Sequence, residues 1–299
     1  MPPIYWTPNG PAAGPNNLGI GIPDPPTNPN FQAQVNNALI NIHNNSLAGQ
    51  QLLTNIINIT TPMGAANPIR VGINPGPNNQ CASMPQPGTP QDQMTRLARA
   101  VIANNAANTA IEITNSLNAL GLNNPAGRAA VAAQINMIPN YQLVGPVAGN
   151  PVQFGVTAAH VNGWATGANA FPAPLAPANL DALKHALLIV LQPGMTAGTG
   201  CSSRVNWNPT INGITIGGVF TPRPAHVGLA HELIHAYNDM MGLQIGIDFG
   251  APSTVLYEYM CVGLGPWANP ANLAALPNPP LTENSIRALS GVPLRPQYG

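Results

Sequence analysis

Charge is what this sequence has least of. Asp, Glu, Lys and Arg make up 6% of its 299 residues, against roughly 25% in ordinary soluble proteins. The two signs balance at nine each, for a net charge of +0. That argues against nucleic acid as a partner and against an anionic membrane surface, because both need clustered positive charge. Lysine is nearly absent, with Lys184 against eight arginines. Cysteine is scarce too. Cys81, Cys201 and Cys261 are too few and too widely spaced for a disulfide framework or a CxxC zinc knuckle, so they read as free thiols. No run approaches the ~18 uncharged apolar residues that span a bilayer, which excludes membrane insertion by a helix. The start, MPPIYWTPNG, has neither a basic region nor an apolar core, so no Sec-type signal peptide is expected. Export by a route that reads no such signal stays open.

Neutral amides, Pro, Ala and Gly replace the missing charge. Hydrophobic residues make up 44% of the chain, enough to bury a large core. Residues 1–30 are crowded with prolines, which remove backbone donors and disfavour helix, so this stretch reads as an extended or disordered leader. A main domain over 31–299 follows.

Within it, apolar spacing predicts helix over 31–58, broken near Asn44–Ser46, and a short strand at 69–73. Helix is expected again from about 91 to 120, ended by Gly121, and over 125–137 with Pro125 in the first turn. Residues 141–157 read as short strands or coil. The stretch 179–192 reads as helix, or as helix running into strand. Residues 204–220 alternate around an Asn212-Gly213 turn signal and predict a hairpin. The expected fold is α+β: a small sheet from 69–73 and 204–220 packed on an active-site helix, covered by helices from 31–58 and 91–137. A helical insertion falls near 91–195.

The chemistry concentrates in one place. Residues 231–235 read His-Glu-Leu-Ile-His. On a helix the two imidazoles leave the same face one turn apart and can both bind a Zn²⁺ ion, while Glu232 lies beside them to take a proton from water. With six His and nine Asp plus Glu, about 0.004 such patterns arise by chance in this length. Val227, Leu229, Ala230, Leu233, Ile234 and Ala236 make the helix apolar around the motif. A catalytic zinc normally takes a third protein ligand. Glu258 is the first choice, 23 residues on; Asp239, Asp248 and Glu283 compete. Asp239, one turn after His235, better suits a hydrogen bond to an imidazole. His226 and His160 are weaker candidates; His43 and His185 read as structural or exposed. Tyr257, Tyr259, Tyr298, Arg287 and Arg295 are available as transition-state or substrate contacts.

These residues also carry a family resemblance. Leu229-Ala230-His231-Glu232-Leu233-Ile234-His235-Ala236 resembles the NleD-like effector metalloproteases that bacteria inject by type III secretion. Glu258 to Gly265 is similar to that family's Glu-x-x-Thr-Val-Gly-Leu segment, Thr282 to Arg287 to its Glu-Asn-x-x-Arg segment, and Arg295 to Tyr298 to its closing Arg-x-x-Tyr. Gly200 to Pro209 matches a glycine- and serine-rich approach to a strand. The likeness covers residues 195–299, with an echo at 47–74. Cys261 stands where the family has Thr, and 75–195 has no recognised counterpart. The resemblance implies a zincin-like fold and a secreted zinc metalloendopeptidase that cuts host signalling proteins in the host cytoplasm, with kinases among the targets. Two other readings remain: a metalloprotease toxin aimed at rival bacteria, and an inactive zincin-fold binding or scaffold protein.

Overall fold

The computed structural model describes residues 4–7, 10–12, 19–22, 30–61, 65, 68–84, 90–103, 106–137, 154–168, 177–191, 200–216, 218–241, 255–264 and 281–296. The fold is mixed α+β. The chain divides into two compact units, one of Met1–Gln86, Ala197–Leu243 and Glu258–Gly299, the other of Pro87–Thr196 and Gln244–Tyr257.

The first unit is built on a six-stranded sheet. Inside the proline-rich leader lie β1 (Ile4–Thr7), β2 (Gly10–Ala12) and β3 (Ile20–Ile22). Two helices follow, α1 (Phe31–Asn45) and α2 (Leu47–Ile59), then β4 (Val71–Pro75) and β5 (Gln80–Met84). The expected break near 44–46 is the boundary between these helices. Ser46 caps α2, its Oγ accepting the Gly49 N–H at 2.9 Å. β6 (Ser202–Trp207) completes the sheet in the order β2-β1-β3-β4-β6-β5. β6 runs parallel to β4, with Ile73 beside Val205, and antiparallel to the edge strand β5, with Cys81 beside Val205.

The predicted hairpin over 204–220 is corrected by this topology. Residues 202–207 belong to the large sheet. The hairpin is β7 (Gly213–Ile216) with β8 (Val219–Pro222), a separate two-stranded sheet. Its turn falls at Gly218, whose φ of 81° suits glycine. Asn212-Gly213, the turn signal read from the sequence, lies at the start of β7 instead.

The second unit contains α3 (Pro90–Ala103), α4 (Ala106–Ala119), α5 (Pro125–Met137), α6 (Ala158–Thr166) and α7 (Pro177–Leu191). The helices at 91–137, expected to cover the sheet, share a core around Leu97, Ile113, Leu117, Val131, Trp164 and Leu187 within this unit. Residues 179–191 are helix throughout, and Ile111, expected in the core, is exposed. Most of 141–157 lies outside the described residues. Among the described residues, no helix is long and apolar enough to cross a membrane.

The first unit ends with α8 (Ala225–Met240), α9 (Val255–Val262, in this unit from Glu258 onward) and α10 (Glu283–Leu289). α8 packs on β5 and β6, while α1, α2 and α10 pack on α8. Sheet residues Ile20, Ile22, Val71, Ile73, Val205 and Trp207 meet Phe31, Leu39, Leu52, Ile56, Leu229 and Leu233 in one core. The motif helix is therefore enclosed on nearly every side, as its all-round apolar flanks require.

Candidate active site

α8 begins after Pro224, which fixes the entry angle without needing a backbone donor. Its interior holds His231, Glu232 and His235 at 5%, 6% and 2% exposure. The imidazoles lie edge to face with centroids 4.7 Å apart. Their Nε2 atoms stand 3.1 Å from each other. Glu258, from α9, reaches the same spot: Oε2 is 2.9 Å from His231 Nε2 and Oε1 is 3.3 Å from His235 Nε2.

This triangle is the right size for a metal. Nitrogen and oxygen ligands bound tetrahedrally at about 2.0–2.1 Å stand about 3.3–3.4 Å apart. Glu258 Oε2 is buried and forms no hydrogen bond despite its 2.9 Å approach, as expected of donors that face one point. The electrostatics agree. Burial alone would lower both histidine pKa values, but the neighbouring Cys261 sulfur and Glu258 carboxylate raise both, His235 to about 10. Burial would raise the pKa of Glu258, yet His235 and His231 hold it well below the usual carboxylate range. A place that favours protons this strongly favours a cation. His231, His235 and Cys261 also form a candidate metal-binding group, with ligand atoms within 4.8 Å of one another. The Cys261 sulfur, however, sits on the Nδ1 side of His231, 3.4 Å from Nδ1, and donates to the His231 carbonyl at 3.3 Å, while also interacting with His235.

Glu283 occupies that side as well. Its Oε2 lies 2.8 Å from His231 Nδ1, so among the competing carboxylates it supports the ring from behind. Thr282 caps α10 through Ser285 N–H at 3.2 Å, placing Glu283 in the first turn. Arg287, one turn on, donates from Nε to Glu283 Oε1 at 2.6 Å. Arg295 Nη1 stands 3.5 Å from Oε2 and Arg223 Nη1 4.0 Å. Burial would raise the Glu283 pKa; the His231 hydrogen bond and the guanidinium groups of Arg287 and Arg223 keep it low instead. Asn284 fixes Arg295 by two bonds, accepting its N–H at 2.8 Å and donating to its carbonyl at 2.9 Å.

Asp239 is wholly buried below His235. It accepts from Ser203 Oγ at 2.6 Å, with the Cys81 thiol at 3.8 Å. Burial raises its pKa to about 7 against the opposing pull of the Ser203 bond and of His235. Glu232 is also pushed up by burial, with His231 and His235 acting the other way.

Other expected site residues fall elsewhere. Arg287 is fully buried and donates its Nη1 to Pro293 O at 2.9 Å, so it supports Glu283 and has no surface to offer a substrate. Asp248 and Tyr298 lie outside the described residues, as do the side chains of Tyr257 and Tyr259. His226 is partly buried in the first turn of α8, and burial lowers its pKa. His160 closes a capping box with Thr157 in the second unit, and His43 is a half-buried partner of Asn44. All three cysteines are buried free thiols. The contributions of Arg223 and Ser203 have no motif. Only the position of Arg223 just before the motif helix hints at a role.

A family model, Peptidase_M91, described as an effector protein, matches residues 24–298. The match runs through 75–195, where the sequence resemblance had found no counterpart. No curated protein and no solved structure matches the chain.

Proposed function

The chain belongs to the Peptidase_M91 family of effector proteins, and from that premise we propose that it is a zinc-dependent endopeptidase secreted by a bacterium and acting on proteins in a host cytoplasm. The observation that carries this reading is the triangle of His231 Nε2, His235 Nε2 and the Glu258 carboxylate, with separations of 2.9–3.3 Å. His231, His235 and Glu258 would hold the zinc. When bound, it would polarise the scissile carbonyl and acidify a water.

The chain's own groups do the rest. Glu283 keeps the proton of His231 on Nδ1, so that the Nε2 lone pair faces the triangle. Glu232 accepts a proton from the attacking water and returns it to the leaving amine, and its raised pKa suits both transfers. The enclosure of α8 excludes bulk water from these charges. The zincin-like reading of the fold is supported by a mixed sheet with an antiparallel edge strand laid on the motif helix. Type III export and a kinase as the protein cut rest on the resemblance of residues 195–299.

Metal analysis with paired variants tests the reading. Purified protein should hold one zinc ion per chain. Glu232→Gln should keep the zinc and lose cleavage, while His231→Ala should lose both. A folded protein that takes up no zinc would end the proposal. Expression in host cells and in bacteria, with toxicity as the readout, separates a host target from a bacterial rival.

A further inference from the structure

The six-stranded sheet carries a groove of about 590 Å³, lined by Arg70 just before β4, Gly72 and Asn74 within it, Met84 of β5, and Ser202 and Arg204 of β6. Sites that seat a ligand have volumes of roughly 300–1,000 Å³. Successive side chains of a strand point to opposite faces. Val71, Ile73, Val205 and Trp207 enter the core with Leu229 and Leu233 of α8. Gly72, Asn74, Ser202 and Arg204 therefore belong to the other face, turned away from the motif helix.

Of the arginines in the first unit, Arg223, Arg287 and Arg295 surround Glu283. The remaining two, Arg70 and Arg204, both line the groove, and neither joins an ion pair among the described residues. Arg70 is held in place: its N–H donates to Ser202 Oγ at 2.9 Å, its carbonyl accepts the Ser203 N–H at 2.8 Å, and its Nη1 donates to the Ile69 carbonyl at 3.2 Å. Arg204 is exposed, and so is Met84. The cross-strand neighbours of Arg204 are Gly72 and Ala82, too small to cover its guanidinium. Gly72 has no positive φ, and a Cβ there would meet only Asn74 Nδ2, at 4.0 Å. Neither backbone nor packing requires glycine at this position, although glycine weakens a strand interior. Such a glycine marks a place where a ligand or another backbone comes close.

We propose that this groove docks an extended acidic segment of the protein substrate, with a Glu or Asp side chain over Gly72 paired to Arg204. The inference rests on the peptidase reading above and adds a second contact with the substrate, away from the active site. Arg204 supplies charge-assisted hydrogen bonds, Asn74 a neutral donor beside Gly72, and Arg70 a fixed positive charge at the end of the groove. The missing side chain at Gly72 lets the incoming chain lie close to the strand. Met84, beside Ser202 in the register, offers an apolar contact to a neighbouring residue of the segment. A basic segment is repelled by both guanidinium groups. None of the described acidic residues of the chain lines the groove.

Binding, rather than cleavage, tests the docking site. Full-length protein carrying Glu232→Gln is titrated with fluorescein-labelled alanine decapeptides, in which two leucines flank a central Glu, Gln or Lys, and followed by anisotropy. The Glu peptide should bind about tenfold more tightly than the Gln peptide, the scale of a charge-assisted pair, and the Lys peptide most weakly. Gly72→Val fills the floor of the groove with a side chain that suits a strand, so it should erase the preference without lowering the melting temperature. Arg204→Gln, at an exposed position, should fold unchanged and erase it as well; if Gly72→Val fails to fold, Arg204→Gln decides alone. A Glu-over-Gln preference that is absent, or that survives in either folded variant, overturns the docking site. So does inorganic phosphate that displaces the Glu peptide as well as its unlabelled copy does, which would mark a simple anion site. Zinc content is measured in parallel. A Glu preference erased by the variants in a protein that takes up no zinc keeps the docking site and sinks the peptidase reading; a zinc-loaded, active chain without the preference does the reverse.

Discussion

Glu283 Oε2 stands 2.8 Å from Nδ1 of His231, the ring nitrogen that does not face Glu258. One carboxylate thus meets each nitrogen of a single imidazole, and the two come from helices that begin 28 residues apart, at Val255 and Glu283. The rear carboxylate fixes the tautomer and raises the basicity of the front nitrogen. Glu283→Gln should therefore weaken zinc binding by about 10–100-fold, read by competition with a chromophoric chelator. Unchanged affinity would reduce Glu283 to a partner of Arg287. Glu283→Ala should also destabilise the fold by roughly 3–5 kcal/mol, because it leaves Arg287 buried without its counter-charge.

The third ligand can be assigned by comparing Glu258 with Cys261. Glu258 faces both Nε2 atoms, whereas Cys261 meets His231 at Nδ1 and its carbonyl and also interacts with His235. Glu258→Ala should lower zinc affinity by about 100-fold or more, and Cys261→Ser should change it by less than about tenfold. The opposite ranking would give the position to the sulfur. A cobalt-substituted sample adds a second readout, since a thiolate ligand would appear as a charge-transfer band that Cys261→Ser removes.

Glu232 should set the acidic limb of activity. The base works when deprotonated, and burial raises its pKa above the ordinary carboxylate value. Catalytic efficiency, kcat/KM, should therefore rise with pH through a midpoint above 4.5, the ordinary value. A limb at or below that value would remove Glu232 from the role.

Asp239 should make stability fall as pH rises. Its pKa goes from 3.8 to about 7 on folding, so between those values the folded state binds the extra proton and stability is lost with increasing pH. The shift corresponds to at most about 4 kcal/mol, present below pH 4 and gone above about pH 7. Asp239→Asn should flatten this slope in urea titrations at pH 4, 5.5 and 7.5. A slope equal to that of the wild type would show that Asp239 does not titrate in this range.

The motif helix and its two rings were legible in the sequence because helical spacing alone puts positions 231 and 235 on one face. Glu258 stood out because carboxylates are so scarce. The support behind His231 was harder to read. Glu283 and Arg287 are four apart on a short helix, a spacing that equally describes an exposed ion pair, and nothing local shows that the pair is buried. Arg287 was accordingly expected to touch substrate and is sealed behind Glu283 instead. In the fold, α1, α2, α5 and the helical character of α7 followed from apolar spacing. The strands at 4–7, 10–12 and 20–22 did not, because proline density masks strand propensity at short lengths. β5 was also missed: its residues Gln80 to Met84 include one buried apolar side chain, Cys81, too little to show alternation.

The carboxylate that steadies His231 is supplied 52 positions later in the chain. A ribosome emits the histidines well before it emits Glu283, Arg287 and Arg295. A nascent polypeptide halted in that interval carries the complete His-Glu-Leu-Ile-His signature with an imidazole free to rotate. Assembly of the centre thus waits on synthesis of the segment that carries Glu283, Arg287 and Arg295.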